Sequence, residues 1–178
     1  MVYVITGGPG FGKTVLLEKL HELGYPVGCE IARQIIAHQI AGGGVLLPWK
    51  DAAGFEKRVM EERINFLNSI DIKKIAFSDR GLPDQVAFSW YKGKEISQQL
   101  KVALSSNFYA KKVFLTPPWR EIFCNDQIRT ETFEEAEKIH SFVVKAYQEN
   151  GYELIDLPLG TPEERIEFIL KILYTNFN

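Results

Sequence analysis

Cysteine is scarce in this chain of 178 residues, with only Cys29 and Cys124 present. Neither belongs to a CxxC pair, and no histidine stands at zinc-ligand spacing from either. A disulfide scaffold and a zinc finger are therefore excluded. Long apolar runs are missing as well, since no stretch approaches the ~18 residues that a membrane-spanning helix needs. The N-terminal Met1 to Gly10 lacks both a charged segment and an apolar run long enough for a signal peptide. Nor does one sign of charge dominate: 21 Lys and Arg stand against 23 Asp and Glu, a net charge of −2. That balance provides no global basic field for nucleic acid. These absences predict a cytoplasmic protein with reduced thiols, no membrane span and no nucleic-acid partner. With 46% hydrophobic and 25% charged residues, the composition is that of an ordinary globular domain. Residues 1–178 are expected to form one such domain and to bury roughly 70% of the unfolded surface.

Short apolar runs alternate with helical patterns along the chain. Val2 to Thr6 reads as a buried strand entering a glycine turn, and Val15, Leu16, Leu20 and Leu23 then recur at helical spacing up to Gly24. Tyr25 to Cys29 reads as a second strand. Glu30 to Ala41 follows as a helix with Ile31, Gln34, Ile35 and His38 on one face, ending at Gly42–Gly44. A long helix is expected from Ala52 to about Ile70, a third strand over Ile75–Asp79 and a fourth over Lys112–Thr116. Two weaker helices lie between them, near Asp84–Tyr91 and Glu95–Ser105. Thr132-Phe-Glu-Glu135 is a capping-box pattern that opens a helix carrying Phe133, Ala136, Ile139, His140, Val143 and Tyr147 as one stripe. On that stripe His140 reads as a partly buried histidine, and His21 and His38 as surface residues. Tyr152–Leu157 reads as a fifth strand, and Thr161-Pro-Glu-Glu164 caps the last helix. Strands alternating with helices in this way predict an α/β fold, three layers with a five-stranded parallel sheet between helices.

Gly7-Gly8-Pro9-Gly10-Phe11-Gly12-Lys13-Thr14 fits G-x-x-x-x-G-K-[ST], with a strand before it and a helix after it. In such a loop the backbone N–H groups converge on an anion, because glycine tolerates positive φ and leaves room for the phosphate. The following helix adds its positive end. Lys13 would then sit between the β- and γ-phosphates, and the Thr14 hydroxyl would meet Mg²⁺. The bland alternative is a glycine-rich turn that binds nothing; the strand–loop–helix context favours the phosphate-binding reading.

The rest of the chain narrows the class. No Asn-Lys-x-Asp segment is present to read guanine. The third strand ends Ser78-Asp79-Arg80-Gly81, with arginine where motor-type ATPases carry glutamate. What remains is a small-kinase type of P-loop domain. Glu30, just past the second strand, can accept a substrate hydroxyl proton, or simply pair with Arg33 one turn on. Asp79 can hold Mg²⁺ through water, or cap a turn. Arg80 can clamp a phosphate, or join a structural ion pair, and Asp84 can touch substrate or serve the start of a helix. Arg129, in Asp126-Gln-Ile-Arg129, can close on the moving phosphoryl group as a lid cation, with Arg120 competing for that role. After the fifth strand, Pro158 and Leu159 are expected to line an adenine slot. Trp49, Trp90, Tyr91 and Trp119 flank the expected cleft.

Together the P-loop, Glu30-Ile-Ala-Arg33-Gln-Ile-Ile, Asp79-Arg-Gly-Leu-Pro-Asp84, Leu115-Thr-Pro-Pro-Trp-Arg120, Asp126-Gln-Ile-Arg129 and Thr161-Pro-Glu-Glu-Arg165 resemble the AAA-domain ATPases of the nicotinamide riboside kinase type. The resemblance covers nearly the whole chain. It implies ATP and Mg²⁺ as cofactors and a kinase that transfers the γ-phosphate to a hydroxyl of a nucleoside-like or other small acceptor. A similar protein in animals is associated with GTP and phosphoinositides. This implies the alternative, a nucleotide-dependent switch or slow ATPase or GTPase acting through a protein or lipid partner.

Overall fold

Five parallel strands, in the order β2-β3-β1-β4-β5, form the central sheet of the computed structural model, which describes residues 1–124 and 131–175. The strands are β1 (Val2–Gly7), β2 (Val27–Gly28), β3 (Ala76–Asp79), β4 (Lys112–Thr116) and β5 (Glu153–Asp156). The helices are α1 (Lys13–Glu22), α2 (Ile31–Ala41), α3 (Ala52–Ser69), α4 (Leu82–Tyr91), α5 (Gln98–Ser106), α6 (Phe133–Glu149) and α7 (Pro162–Thr175). This is the expected α/β class. The strand order reverses about β1, and a doubly wound sheet opens its ligand crevice at such a point, beyond the carboxyl ends of its strands.

Strand alternation divides the core between the two faces of the sheet. Val2, Val4, Ala76, Val113 and Leu115 point toward Leu82 and Val86 of α4, Leu100 of α5, and Ile139 and Val143 of α6. Ile5, Phe77 and Phe114 point the other way, toward Leu16 and Leu20 of α1 and Ile166, Ile169 and Leu173 of α7. Each such Val, Leu, Ile or Phe side chain contributes about 1.5–3 kcal/mol when fully buried. A smaller cluster of Ile36, Leu47, Phe55 and Val59 joins α2 to α3.

Several expected boundaries move, each for a local reason. β2 is limited to Val27–Gly28, an edge strand that pairs only with β3. Pro26 before it has no N–H and contributes only its carbonyl, which accepts from the Phe77 N–H at 2.9 Å. On α2 the buried residue is Ile36, while Gln34 and His38 are exposed, so the expected face is rotated. α5 starts at Gln98 instead of Glu95 because the Ser97 hydroxyl caps it, accepting from the Leu100 N–H at 3.2 Å. Both capping boxes form: Thr132 with Glu135, and Thr161 with Glu164. His140 is half-buried beside Phe11, and His21 and His38 are exposed.

Candidate active site

Residues 8–12 lie between the end of β1 and the start of α1. Gly10 and Gly12 adopt φ of 80° and 78°, in the left-handed region. Gly7, at φ 139°, passes so close to β4 that a Cβ there would lie 2.2 Å from Thr116 Oγ1. α1 opens on Gly12 with no side-chain cap and no acidic residue in its first turn. Its free N–H groups and positive end are thus left for an anion. The Phe11 side chain is buried against Phe123, Phe133 and His140. Lys13 folds back over the loop, its ammonium donating to the Gly8 carbonyl at 2.7 Å. Burial, then the charge of Arg80, lower its pKa to about 7. Thr14 is exposed on the first turn of α1.

β3 runs parallel to β1 and delivers Asp79 beside the loop, with Ile5 opposite Asp79 in the register. Asp79 is buried and its Oδ1 has no hydrogen-bond partner. Burial pushes its carboxyl above the usual range, against the pull of Lys13 and Arg80. A buried carboxylate oxygen without a donor suits a hydrated cation, so Asp79 and Thr14 fit the Mg²⁺ role expected of them. Arg80 takes φ 66°, the only non-glycine residue with positive φ among those described. Such a conformation costs on the order of 1–3 kcal/mol and persists where surroundings enforce it. Here the Arg80 N–H donates to the Ile5 carbonyl at 3.0 Å, and the Ser78 hydroxyl donates to the Arg80 carbonyl at 2.7 Å.

The Arg80 guanidinium donates from Nη1 to Asp84 Oδ1 at 2.8 Å and to the Gly7 carbonyl at 2.9 Å. Asp84 is completely buried and also accepts from Thr6 Oγ1 (2.6 Å), the Gly81 N–H (2.8 Å) and Tyr147 Oη (2.6 Å). Burial alone would raise its pKa, but the charges of Arg80 and Arg63 and these donors hold it low. Of the two roles open to Asp84, the structural one is what this network provides: it ties α4 to β1 and α6. Arg80 is ion-paired and still lines a cavity.

Two cavities adjoin the loop. One, of about 330 Å³, is bounded by Gly10 to Leu16, Trp119, Gly160 and Arg165. The other, of about 530 Å³, lies between α2, α3 and α4, with Pro9, Asp79 and Arg80 at its inner end. Glu30 belongs to both linings. It is the N-cap residue of α2 but makes no side-chain cap; its Oε2 instead meets Arg33 Nε at 3.1 Å. Both roles foreseen for Glu30 are therefore open to it at once.

Other expected residues lie elsewhere. Arg120 is exposed, pairs with Glu134 at 2.8 Å and stacks 4.1 Å from the Phe133 ring centre, lining neither cavity. Leu157 turns into the core, leaving Pro158 and Leu159 exposed and outside both linings, while Gly160 and Pro162 just after them line the cavity on the loop. Arg129 lies outside the described residues. Conversely, Arg63, Gln85 and Arg165 line the cavities without having been anticipated. The signal for the arginines was present: Arg63 extends the stripe Phe55–Val59, and Arg165 heads the stripe Ile169–Leu173, each at i+4 spacing.

A family model described as an AAA domain matches residues 2–165. No curated protein matches the chain significantly in sequence. Among solved structures, the fold is similar to that of deoxyadenosine kinase from M. mycoides with bound dATP, at a TM-score of 0.70 and 15% identity, over 97% of this chain and 99% of that one. It is similar also to thymidylate kinase from Candida albicans, at 0.64 and 15% identity, over 99% and 92%. Shikimate kinase from Aquifex aeolicus aligns at 0.59 and 16% identity, over 99% and 98%.

Proposed function

The chain belongs to the AAA domain family, and from that premise we propose that it is an ATP-dependent phosphotransferase acting on a hydroxyl of a small acceptor. The observation that carries this reading is the position of Glu30, a carboxylate shared by a cavity on the P-loop and a second cavity beside it. A triphosphate in the first and an acceptor in the second would meet at Glu30. A nucleotide switch needs no such second cavity.

The backbone N–H groups of Gly8 and residues 10–14 and the Lys13 ammonium bind the phosphates. Thr14 and Asp79 would hold Mg²⁺, which when bound offsets phosphate charge. Trp119 and Arg165 also border the nucleotide cavity, in which the base would lie. Glu30, oriented by Arg33, accepts the proton of the acceptor hydroxyl as its oxygen bonds to the γ-phosphorus and the bond to the β-phosphate bridging oxygen breaks. ADP leaves with the bonding electron pair. Arg80 is fixed by Asp84 and the Gly7 carbonyl, and stabilises the phosphoryl group in transfer. Arg129 is proposed as a second cation for that group. The likeness to solved deoxyadenosine and thymidylate kinases, and the motif resemblance to nicotinamide riboside kinases, make nucleoside-like acceptors the first to screen.

Paired steady-state assays test the proposal, one with ATP alone and one with the best acceptor from a screen for stimulated ADP release. Glu30→Gln keeps size and hydrogen bonding but removes the basic oxygen. It lowers acceptor-stimulated kcat by about 10²-fold or more, with ATP affinity unchanged and unstimulated hydrolysis much less affected. Equal rates for wild type and variant in both assays would leave Glu30 as the ion-pair partner of Arg33. The switch or slow-ATPase reading would then stand.

A further inference from the structure

Arg63 projects from α3 into the wall of the 530 Å³ cavity and is only 4% exposed. Among the described residues it makes no hydrogen bond, no ion pair falls within 4.0 Å, and its Nε and Nη1 are buried without a partner. A buried guanidinium left in this state is costly, because desolvation is not repaid by a counter-charge in contact. Asp84 feels the charge of Arg63 but cannot serve as that partner. Its Oδ1 already accepts from Thr6 and Arg80, and its Oδ2 from Gly81 and Tyr147.

Charge balance points the same way. Of the charged side chains that line this cavity, Arg63, Arg80 and Asp79 are buried, and Asp84 is buried in contact with Arg80. Arg80 is paired with Asp84, and the proposed function assigns Lys13 to the triphosphate and Asp79 to the metal site. Of the buried cations that line this cavity, Arg63 is the one left over. Gln85, on the same wall, donates from Nε2 to the Glu56 carbonyl at 2.7 Å, which fixes the amide and leaves Oε1 buried with no donor. Phe55, Phe88 and Tyr91 supply apolar and aromatic lining.

Resting on the kinase reading, we propose that the acceptor is an anion: it carries a phosphate or carboxylate that Arg63 holds, and a hydrogen-bond donor that meets Gln85 Oε1. The aromatic lining adds a flat apolar body between these polar points and the hydroxyl presented to Glu30. Arg63 is then a specificity-determining residue, since a neutral analogue leaves it unpaired.

The test is binding, read by calorimetry on the intact protein, with the P-loop filled by Mg²⁺ and a non-hydrolysable ATP analogue. Thymidine 5′-phosphate is compared with thymidine, and 3-hydroxybenzoate with 3-hydroxybenzamide, so that one pair reports a phosphate and the other a carboxylate. In at least one pair the anion binds about tenfold or more tightly than its neutral partner. Arg63→Met abolishes that preference, and Arg63→Lys, which keeps the charge, restores part of it. Equal binding within both pairs of the wild type, or a preference that survives in Arg63→Met, overturns the proposal. The wild-type comparison stands even if a variant fails to fold. Because no turnover is read, an anion preference without acceptor-stimulated ADP release would refute the kinase reading while leaving the anion site in place.

Discussion

At Asp79 and His140, burial works on two titratable side chains in different ways. The Asp79 carboxylate is desolvated and has an oxygen without a donor, yet lies in the field of Lys13 and Arg80. A group kept in that condition suits the cation-binding role proposed for it better than a role in holding the fold together. Asp79→Asn therefore weakens binding of the Mg²⁺ complex of ATP by about tenfold or more, while metal-free ATP binds the variant as well as the wild type. Titrations with Mg²⁺ and with a chelator make the comparison, and equal losses in both would make Asp79 a structural residue. His140 is a different case. Burial first, and then the charges of Lys13 and Arg80, pull its pKa down to about 4, with Asp156 opposing. The folded state thus disfavours the imidazolium, and the sign follows. No stability is lost above the unfolded value near 6.5, and loss accumulates as pH falls from there toward 4. Relative to His140→Met, the wild type should lose about 3 kcal/mol over that window, measured by urea denaturation. A constant difference between the two proteins would contradict the assignment.

Between elements, the contact that matters most is Asp84. It lies in the first turn of α4, but its partners come from β1 (Thr6), the β3–α4 turn (Arg80 and Gly81) and α6 (Tyr147). Through Arg80 it also steadies the Gly7 carbonyl, at the mouth of the P-loop. Removing the carboxylate leaves Arg80 buried without the carboxylate it contacts, near the unpaired guanidinium of Arg63. Asp84→Ala is expected to cost about 3–5 kcal/mol, read as a lower urea midpoint. Tyr147→Phe, which deletes one hydrogen bond to a charged group, is expected to cost about 1.5–3 kcal/mol. If Asp84→Ala unfolds at the wild-type midpoint, the network is not what joins these elements.

For the molecule as a whole, stability is a small difference between large terms, on the order of 5–15 kcal/mol for a domain. A ligand that binds only the folded state shifts that difference measurably. At a hundredfold excess over Kd, the Mg²⁺ complex of ATP adds about 2.7 kcal/mol, which for a chain of this length raises Tm by about 5–10 °C. Lys13→Met retains the fold but should show little of that rise, because its ammonium contacts the Gly8 carbonyl in the loop and, among the described residues, no carboxylate. A full thermal shift in the variant would refute the phosphate role of the loop. No helix among the described residues is long and apolar enough to cross a membrane.

Gly7 to Thr14, the strand alternation of Val2 and Val4 against Ile5, and the capping pairs Thr132–Glu135 and Thr161–Glu164 were all determined by the sequence on its own. Each is a matter of backbone conformation or spacing over a few residues, where one local preference dominates. Glu30 and Asp79 could be placed at strand ends for the same reason, since the end of a parallel strand faces the crevice whatever packs beyond it. Tertiary structure alone decided what their neighbours do. Arg120 and Pro158 follow strand ends too, but Arg120 lies over Phe133 beside Glu134, and Pro158 is turned outward by the burial of Leu157. Arg63 and Arg165 stand at the ends of apolar stripes that spacing reads as core, and only the packed fold reveals buried nitrogens without partners beside two cavities. Asp84 meets Thr6 across 78 positions and Tyr147 across 63. Spacing cannot anticipate such partners, because a buried charge is satisfied by whichever donors packing brings within about 3 Å of it.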